Sequence, residues 1–230
     1  MKPFPVVEIF GPTIQGEGPL IGVPTMFVRL GGCDYRCKWC DTFYAVLPEE
    51  VRKNSTPMST EQIIEKVNQS QHCEWVTFSG GNPLLYDLSE LVDRLHEDGW
   101  RIAVETQGTV YREWVQKTDL LVVSPKPPSS GMTTDFMKLK QFMDHPNIAL
   151  KVVVFDDADY EYAVYLRQKF NDPSIPFTLQ VGNAVGEDTL SNLVEKLRWL
   201  IERTVKDKRL FNVRILPQLH VWVWGNERGV

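Results

Sequence analysis

Three cysteines stand within eight residues, in the run Cys33-Asp34-Tyr35-Arg36-Cys37-Lys38-Trp39-Cys40. The Cys-x3-Cys-x2-Cys spacing puts three thiolates on one short loop, one fewer than a closed tetrahedral or cubane centre requires. Thiolates select soft metals, so the loop points to zinc or to an iron–sulfur cluster. A [4Fe-4S] cluster held at three corners keeps its fourth iron free for a small molecule, which makes such a centre reactive rather than only structural. The competing reading is a zinc site completed by the His72-Cys73 pair. Zinc sites more often come as two Cys-x2-Cys pairs, and the sequence holds no second pair. Cys73 precedes an apolar run and reads most simply as a small buried hydrophobe. A disulfide framework is the weakest reading, because 230 residues can build a core without covalent staples.

Arg29 is the next residue that asks for a partner. It lies inside the apolar run 25–30, just ahead of the cysteine loop. A buried cation there needs an anion, and its planar fork suits a carboxylate, either a ligand's or a neighbouring side chain's. Gly80-Gly81, without Cβ atoms, would let backbone approach a ligand closely. Trp39 reads either as plain core or as a surface for a flat ring.

These residues need a scaffold, and the hydrophobic pattern supplies one. Short β-branched runs at 25–30, 75–78, 101–105, 120–123, 149–155, 177–181 and 213–216 alternate with helical patterns. Ser59-Thr60-Glu61-Gln62 reads as a capping box, and Leu88, Leu91, Val92 and Leu95 form one helical face that ends near Gly99. Further helices are predicted over 157–170 and 188–206. The alternation predicts an α/β fold, a partial and open parallel β/α barrel of about six strands, in one domain over 1–230. In such barrels chemistry gathers at the C-terminal ends of strands. The segments that follow the runs suit this: the cysteine loop, Ser79-Gly80-Gly81-Asn82-Pro83, Glu105-Thr106-Gln107-Gly108, Ser124-Pro125-Lys126, Gln180-Val181-Gly182-Asn183 and Pro217-Gln218-Leu219-His220. Taken singly, each would pass as an ordinary turn.

Composition narrows the partners. With 43% hydrophobic and 24% charged residues and a net charge of −5, the chain has no basic surplus with which to neutralise phosphates, so a nucleic-acid partner is not expected. No run of 18 apolar residues and no secretory leader pattern appear, so neither a membrane nor export is expected. A cytoplasmic location, which keeps thiols reduced, and a small-molecule substrate are the expectation.

The cysteine loop, with Trp39 before its last ligand, resembles that of the radical S-adenosylmethionine enzymes. Thr13-Ile14-Gln15-Gly16-Glu17-Gly18, Arg29, Asp41-Thr42 and Ser124-Pro125-Lys126 are together similar to the 7-carboxy-7-deazaguanine synthase family, in its Bacillus-type branch. The similarity runs essentially end to end, through Gly80-Gly81-Asn82-Pro83 to the tail Trp224-Gly225-Asn226-Glu227-Arg228-Gly229-Val230. It implies an ammonia-releasing carbon–nitrogen lyase. That lyase contracts 6-carboxy-5,6,7,8-tetrahydropterin to 7-carboxy-7-deazaguanine, on the way to queuosine and related 7-deazapurines. It also implies a [4Fe-4S] cluster, S-adenosylmethionine and Mg2+, an electron donor such as flavodoxin or ferredoxin, and a homodimer.

Carried over by position, Cys33, Cys37 and Cys40 would ligate the cluster, and Thr42 would ligate magnesium. Trp39, Cys40, Asp41, Gly81, Ser124, Pro125 and Lys126 would lie against S-adenosylmethionine. Ile14, Gln15, Gly16, Ser79 and Arg29 would meet the pterin, Arg29 at its carboxylate. Asn82 stands where the wider superfamily carries glutamate, and its amide would accept a hydrogen bond from the methionyl ammonium. Glu17 reads either as a turn residue or as a substrate contact, and residues near Val230 would close the site. Two rivals stand beside this reading: a glycyl-radical activase, which shares the loop and the barrel, and a zinc-stabilised binding module.

Overall fold

A computed structural model describes residues 2–70, 72–186 and 188–230. The chain opens with β1 (Phe4–Ile14), returns as β2 (Pro24–Leu30), and after the cysteine loop and α1 (Pro48–Asn54) adds the short β3 (Thr56–Met58). Strand and helix then largely alternate: α2 (Thr60–Asn68), β4 (Trp75–Gly80), α3 (Ser89–Glu97), β5 (Arg101–Thr106), β6 (Leu120–Val123) and α4 (Phe136–Lys140). The remainder is β7 (Ile148–Val154), α5 (Asp157–Lys169), β8 (Phe177–Val181), α6 (Leu190–Thr204), β9 (Val213–Leu216) and α7 (Leu219–Trp224). The nine strands form one sheet in the order β3-β1-β2-β4-β5-β6-β7-β8-β9, with β3 and β9 as its two edges. β2 and β4 to β9 are mutually parallel, seven strands where the alternation suggested about six, and β1 runs antiparallel to both β2 and β3.

The two faces of this sheet carry different chemistry, because successive side chains on a strand point to opposite sides. On the outer face Val28, Leu30, Val76, Phe78, Ile102, Val104, Leu150 and Val152 join one core with helix residues such as Leu91, Leu95, Ala163 and Leu166. The intervening positions, Arg29, Ser79, Glu105, Lys151 and Gln180, fall on the inner face. The register sets Arg29 beside Ser79 and Val153 beside Gln180. β7 is buried at every position, as expected of a central strand covered on both sides.

The helices expected from the sequence pattern form as α2, α3, α5 and α6, while the short α1, α4 and α7 were not anticipated. Ser59 and Gln62 make the reciprocal capping box at the start of α2, which buries Ile63, Ile64 and Val67. α3 buries Leu91, Val92 and Leu95, and Gly99 follows it in the left-handed region at φ +88°. The pattern missed β1, because Pro5, Gly11 and Pro12 are residues that strands disfavour. Pairing with β2 tolerates them through register shifts, one of them between Phe10 and Thr13. Among the described residues no helix is long and apolar enough to cross a membrane.

Candidate active site

The C-terminal ends of the parallel strands, the cysteine loop and the chain's own tail enclose a cavity of about 260 Å³. Cys33, Cys37 and Cys40 all face it, and all three are free thiols. Their loop is held by backbone bonds from Gly32 N to Ala45 O at 2.7 Å, Lys38 N to Ser130 O at 2.9 Å and Cys40 N to Cys37 O at 3.2 Å. Burial pushes each thiol upward, Cys37 to about 11, while the nearby Lys126 ammonium pulls the other way. Unligated, the three therefore stay protonated at neutral pH; bound cationic iron is what would turn them into thiolates.

The glycines at the end of β4 serve the chain's own packing. A Cβ on Gly80, at φ +124°, would lie 2.1 Å from Leu30 O, and one on Gly81 would lie 2.0 Å from Gly32 O. The end of β4 and the base of the cysteine loop thus meet backbone to backbone, with Asn82 N donating to Gly32 O at 2.7 Å. The expected role of Asn82 differs from its observed one. It is fully buried, its Oδ1 accepts from Leu84 N at 3.3 Å and Thr106 Oγ1 at 3.0 Å, and its Nδ2 donates to Asp34 Oδ1 at 3.0 Å. Its amide caps a short 3-10 helix and ties the cysteine loop to β5, instead of turning to the cavity.

Trp39 presents its ring to the cavity, held by a bond from Nε1 to Ser129 Oγ at 2.8 Å and tilted against Phe155 at 5.2 Å. Ser124 and Lys126 line the same wall, with Lys126 Nζ 5.7 Å from the Trp39 ring centre and donating to Ser124 Oγ at 3.2 Å. Pro125, between them, is buried and does not reach the cavity. Thr42 Oγ1 donates to Asp41 Oδ1 at 3.1 Å, so two oxygens stand together beside Cys40. That donor set suits a hard cation that keeps several waters. The thiol trio suits a soft iron–sulfur centre.

Charged residues line the cavity together with the cysteines. Arg29 Nε pairs with Glu8 Oε1 at 2.6 Å, and the guanidinium sits 5.6 Å from the Phe10 ring centre and 5.9 Å from that of Tyr44. Burial opposes the charge, but Tyr44 and Glu8 prevail and raise Arg29 above its ordinary value. Among the described residues only Nε of the fork is hydrogen-bonded, which leaves its terminal nitrogens for an anion in the cavity. Deeper in, Lys151 pairs with Glu17 Oε2 and lies 3.6 Å from Glu105 Oε1. Gln218 Nε2 donates to Glu17 Oε1 at 2.5 Å, Ser79 Oγ to Glu105 Oε2 at 3.2 Å and Gln15 Nε2 to Glu105 Oε1 at 3.4 Å. Burial would raise Glu17, but Lys151, with His220 and the Gln218 bond, outweighs it and holds the carboxyl at about 2.

The tail closes the remaining side. Glu227 to Val230 line the cavity, Asn183 Nδ2 donates to Asn226 Oδ1 at 2.8 Å, and Arg228 stacks 3.7 Å from the Tyr44 ring centre. Arg228 also lies 3.6 Å from Glu8 Oε2, while Tyr44 OH donates to Glu8 Oε1 at 3.2 Å. Tail, cysteine-loop flank and Arg29 are therefore linked through one carboxylate.

Of the residues expected to hold a metal, cofactor or substrate, Pro125 and Asn82 do not reach this cavity, whereas Ile14, Gln15, Gly16, Arg29, Cys33, Cys37, Trp39, Cys40, Asp41, Thr42, Ser79, Gly81, Ser124 and Lys126 do. Cys73 does not; it precedes β4, a strand of six residues and about 20 Å, whereas the cysteine loop packs against the strand's far end. Sequence reasoning missed Glu8, Tyr44 and Lys151. For Lys151 a signal was present, since a lone lysine inside the run Ile148-Ala149-Leu150-Lys151-Val152-Val153-Val154 needs an anionic partner as Arg29 does.

A parallel β/α sheet with three free cysteines at its C-terminal rim defines the radical S-adenosylmethionine class, and residues 27–120 match the family model of the Radical SAM superfamily. That class implies a [4Fe-4S] cluster and S-adenosylmethionine. The chain is 44% identical to the 7-carboxy-7-deazaguanine synthase of Bacillus cereus over 100% of both chains. It is 43% identical to that of Bacillus subtilis, over 100% of this chain and 99% of the relative. The crystal structure of QueE from Escherichia coli superposes with a TM-score of 0.74 at 26% identity, covering 94% of each chain. The chain belongs to the 7-carboxy-7-deazaguanine synthase family.

Proposed function

We propose that the chain converts 6-carboxy-5,6,7,8-tetrahydropterin to 7-carboxy-7-deazaguanine with release of ammonia, as a carbon–nitrogen lyase. The observation that carries this reading is the meeting, in one cavity, of three free thiols with the Arg29 fork and the Glu17–Lys151–Glu105 cluster. Held by Cys33, Cys37 and Cys40, the cluster with S-adenosylmethionine would supply the radical chemistry that removes hydrogen from the substrate.

The chain's own residues bind, orient and exclude water. Cys33, Cys37 and Cys40 hold the cluster. The Trp39 ring, Asp41, Gly81, Ser124 and Lys126 cradle S-adenosylmethionine, with Pro125 shaping that loop from behind. The free nitrogens of Arg29 take the substrate carboxylate, while backbone groups of Ile14 to Gly16 and the Ser79 hydroxyl meet the heterocycle. Thr42, beside Asp41, would hold Mg2+, which would supply a positive charge for a substrate anion. The tail from Glu227 to Val230 keeps solvent from the reacting face. A cavity of about 260 Å³ roofed by the tail suits a small molecule rather than the protein partner an activase would need.

A homodimer in a reducing cytoplasm, served by a flavodoxin- or ferredoxin-type donor, completes the reading. The test is anaerobic turnover of cluster-reconstituted protein with S-adenosylmethionine, dithionite, Mg2+ and the carboxytetrahydropterin, read by mass. Product formed with S-adenosylmethionine substoichiometric is the expected result. Cluster-dependent 5′-deoxyadenosine without that product would move the substrate elsewhere within the superfamily. A colourless zinc protein would return the zinc module.

A further inference from the structure

One buried cation, that of the Glu17–Lys151–Glu105 cluster, is given no role of its own in the reading above. Lys151 is 6% exposed, on a strand buried at every position, and its ammonium is shared by Glu17, from the loop after β1, and Glu105, at the end of β5. Both carboxylates face the cavity, and each also accepts a bond from a neutral side chain: Gln218 on Glu17, Ser79 and Gln15 on Glu105. An ionised carboxylate accepts about four hydrogen bonds, so this pair retains acceptor capacity toward the ligand. It carries two negative charges against one positive.

We infer that Lys151 is a positioning residue that acts through Glu17 and Glu105, fixing the pair as an acceptor-only wall for the N–H edge of a heterocycle. The inference rests on the pterin reading for the identity of that heterocycle. Without the ammonium, two buried carboxylates would stand close together with no compensating charge. Such pairs share a proton, as like charges in a low-dielectric site do. A carboxyl that holds the proton loses its charge and one acceptor oxygen, so the pair takes fewer and weaker bonds from the ligand's N–H edge. The direction for Glu17 agrees: Lys151 heads the influences that overcome burial and keep it ionised. The other charged groups that face this cluster are Asp41, on the cysteine-loop side of Lys151, and His220, beside Glu17.

The experiment uses the cluster-loaded protein with S-adenosylmethionine and titrates 6-carboxypterin, an analogue with no hydrogen at C6, between about pH 5.5 and 7.5. Wild type and Lys151→Arg should bind with a flat pH profile. Lys151→Met should bind about tenfold more weakly at the acid end and recover as pH rises, the signature of a carboxyl that has regained a proton. A Lys151→Met profile parallel to wild type would overturn the inference. Should that variant not fold, infrared spectra of the wild type, assigned with Glu17→Gln, decide instead. No protonated-carboxyl band from Glu17 or Glu105 should appear over this range, and its appearance would refute the inference. If the wild type turns over no pterin, the substrate reading fails separately, while the infrared result still decides whether the two carboxylates are held ionised.

Discussion

Cys37 is the most buried of the three loop cysteines, and burial holds it furthest from the thiolate form in the absence of metal. Cys37→Ala should therefore abolish cluster retention, measured as iron and sulfide per chain and as loss of brown colour. Arg29→Ala makes the opposite prediction. It should keep the cluster and the reductive cleavage of S-adenosylmethionine, yet lose productive pterin binding by at least about thirtyfold, the weight of a charge-assisted pair near 2 kcal/mol. Normal turnover by that variant would refute the carboxylate assignment. Titration adds a third outcome. Glu17, depressed from 4.5 to about 2, contributes stability that is complete above about pH 4.5 and is lost as pH falls toward 2. Lys151, raised above 10.5, contributes stability that is complete below that value and is lost as pH rises through its higher folded value. Denaturant midpoints across pH should fall at both ends, and Glu17→Gln should flatten the acid limb. At this scale sequence reading treated two similar residues unequally. Arg29 stood out because it precedes the cysteine loop, whereas Lys151 lay in a run whose partners, Glu17 and Glu105, are 134 and about 46 positions away.

The strands explain why distant residues meet. Because side chains alternate, a run that buries Val28, Leu30, Phe78 and Val104 against helices must aim Arg29, Ser79 and Glu105 at the other face. The rim segments after these strands were legible for that reason. Asn82 was less so, since only packing decides whether an amide turns outward to a ligand or inward to Leu84, Thr106 and Asp34. The end of β4 gives the clearest test of an element. Gly81→Ala would drive a Cβ to 2.0 Å from Gly32 O, backbone that cannot rotate away. It should cost about 1–3 kcal/mol in stability and lower cluster occupancy with all three cysteines intact. A fully loaded Gly81→Ala protein of wild-type stability would show that the two segments can part without harm.

At the scale of the whole molecule, the two ends of the chain meet across the site. Glu8 of β1 binds Arg29 of β2, Tyr44 beyond the cysteine loop, and Arg228 of the tail. Arg228→Ala should loosen the tail by about 0.5–1 kcal/mol, the range of an exposed cation–aromatic contact, seen as faster hydrogen exchange over 225–230. Substrate affinity should fall with it, with the cluster unaffected. The sequence by itself determined the trio of closely spaced thiols, the parallel α/β alternation and the rim segments, because ligand spacing and hydrophobic period are local and survive being read along the chain. Only the tertiary structure decided that Glu8 claims one side of Arg29, that Lys151 joins Glu17 to Glu105, that Asn82 turns inward and that Arg228 stacks on Tyr44. Those pairings join segments far apart in sequence, and a charge's partner is set by which strands lie side by side and which faces they share.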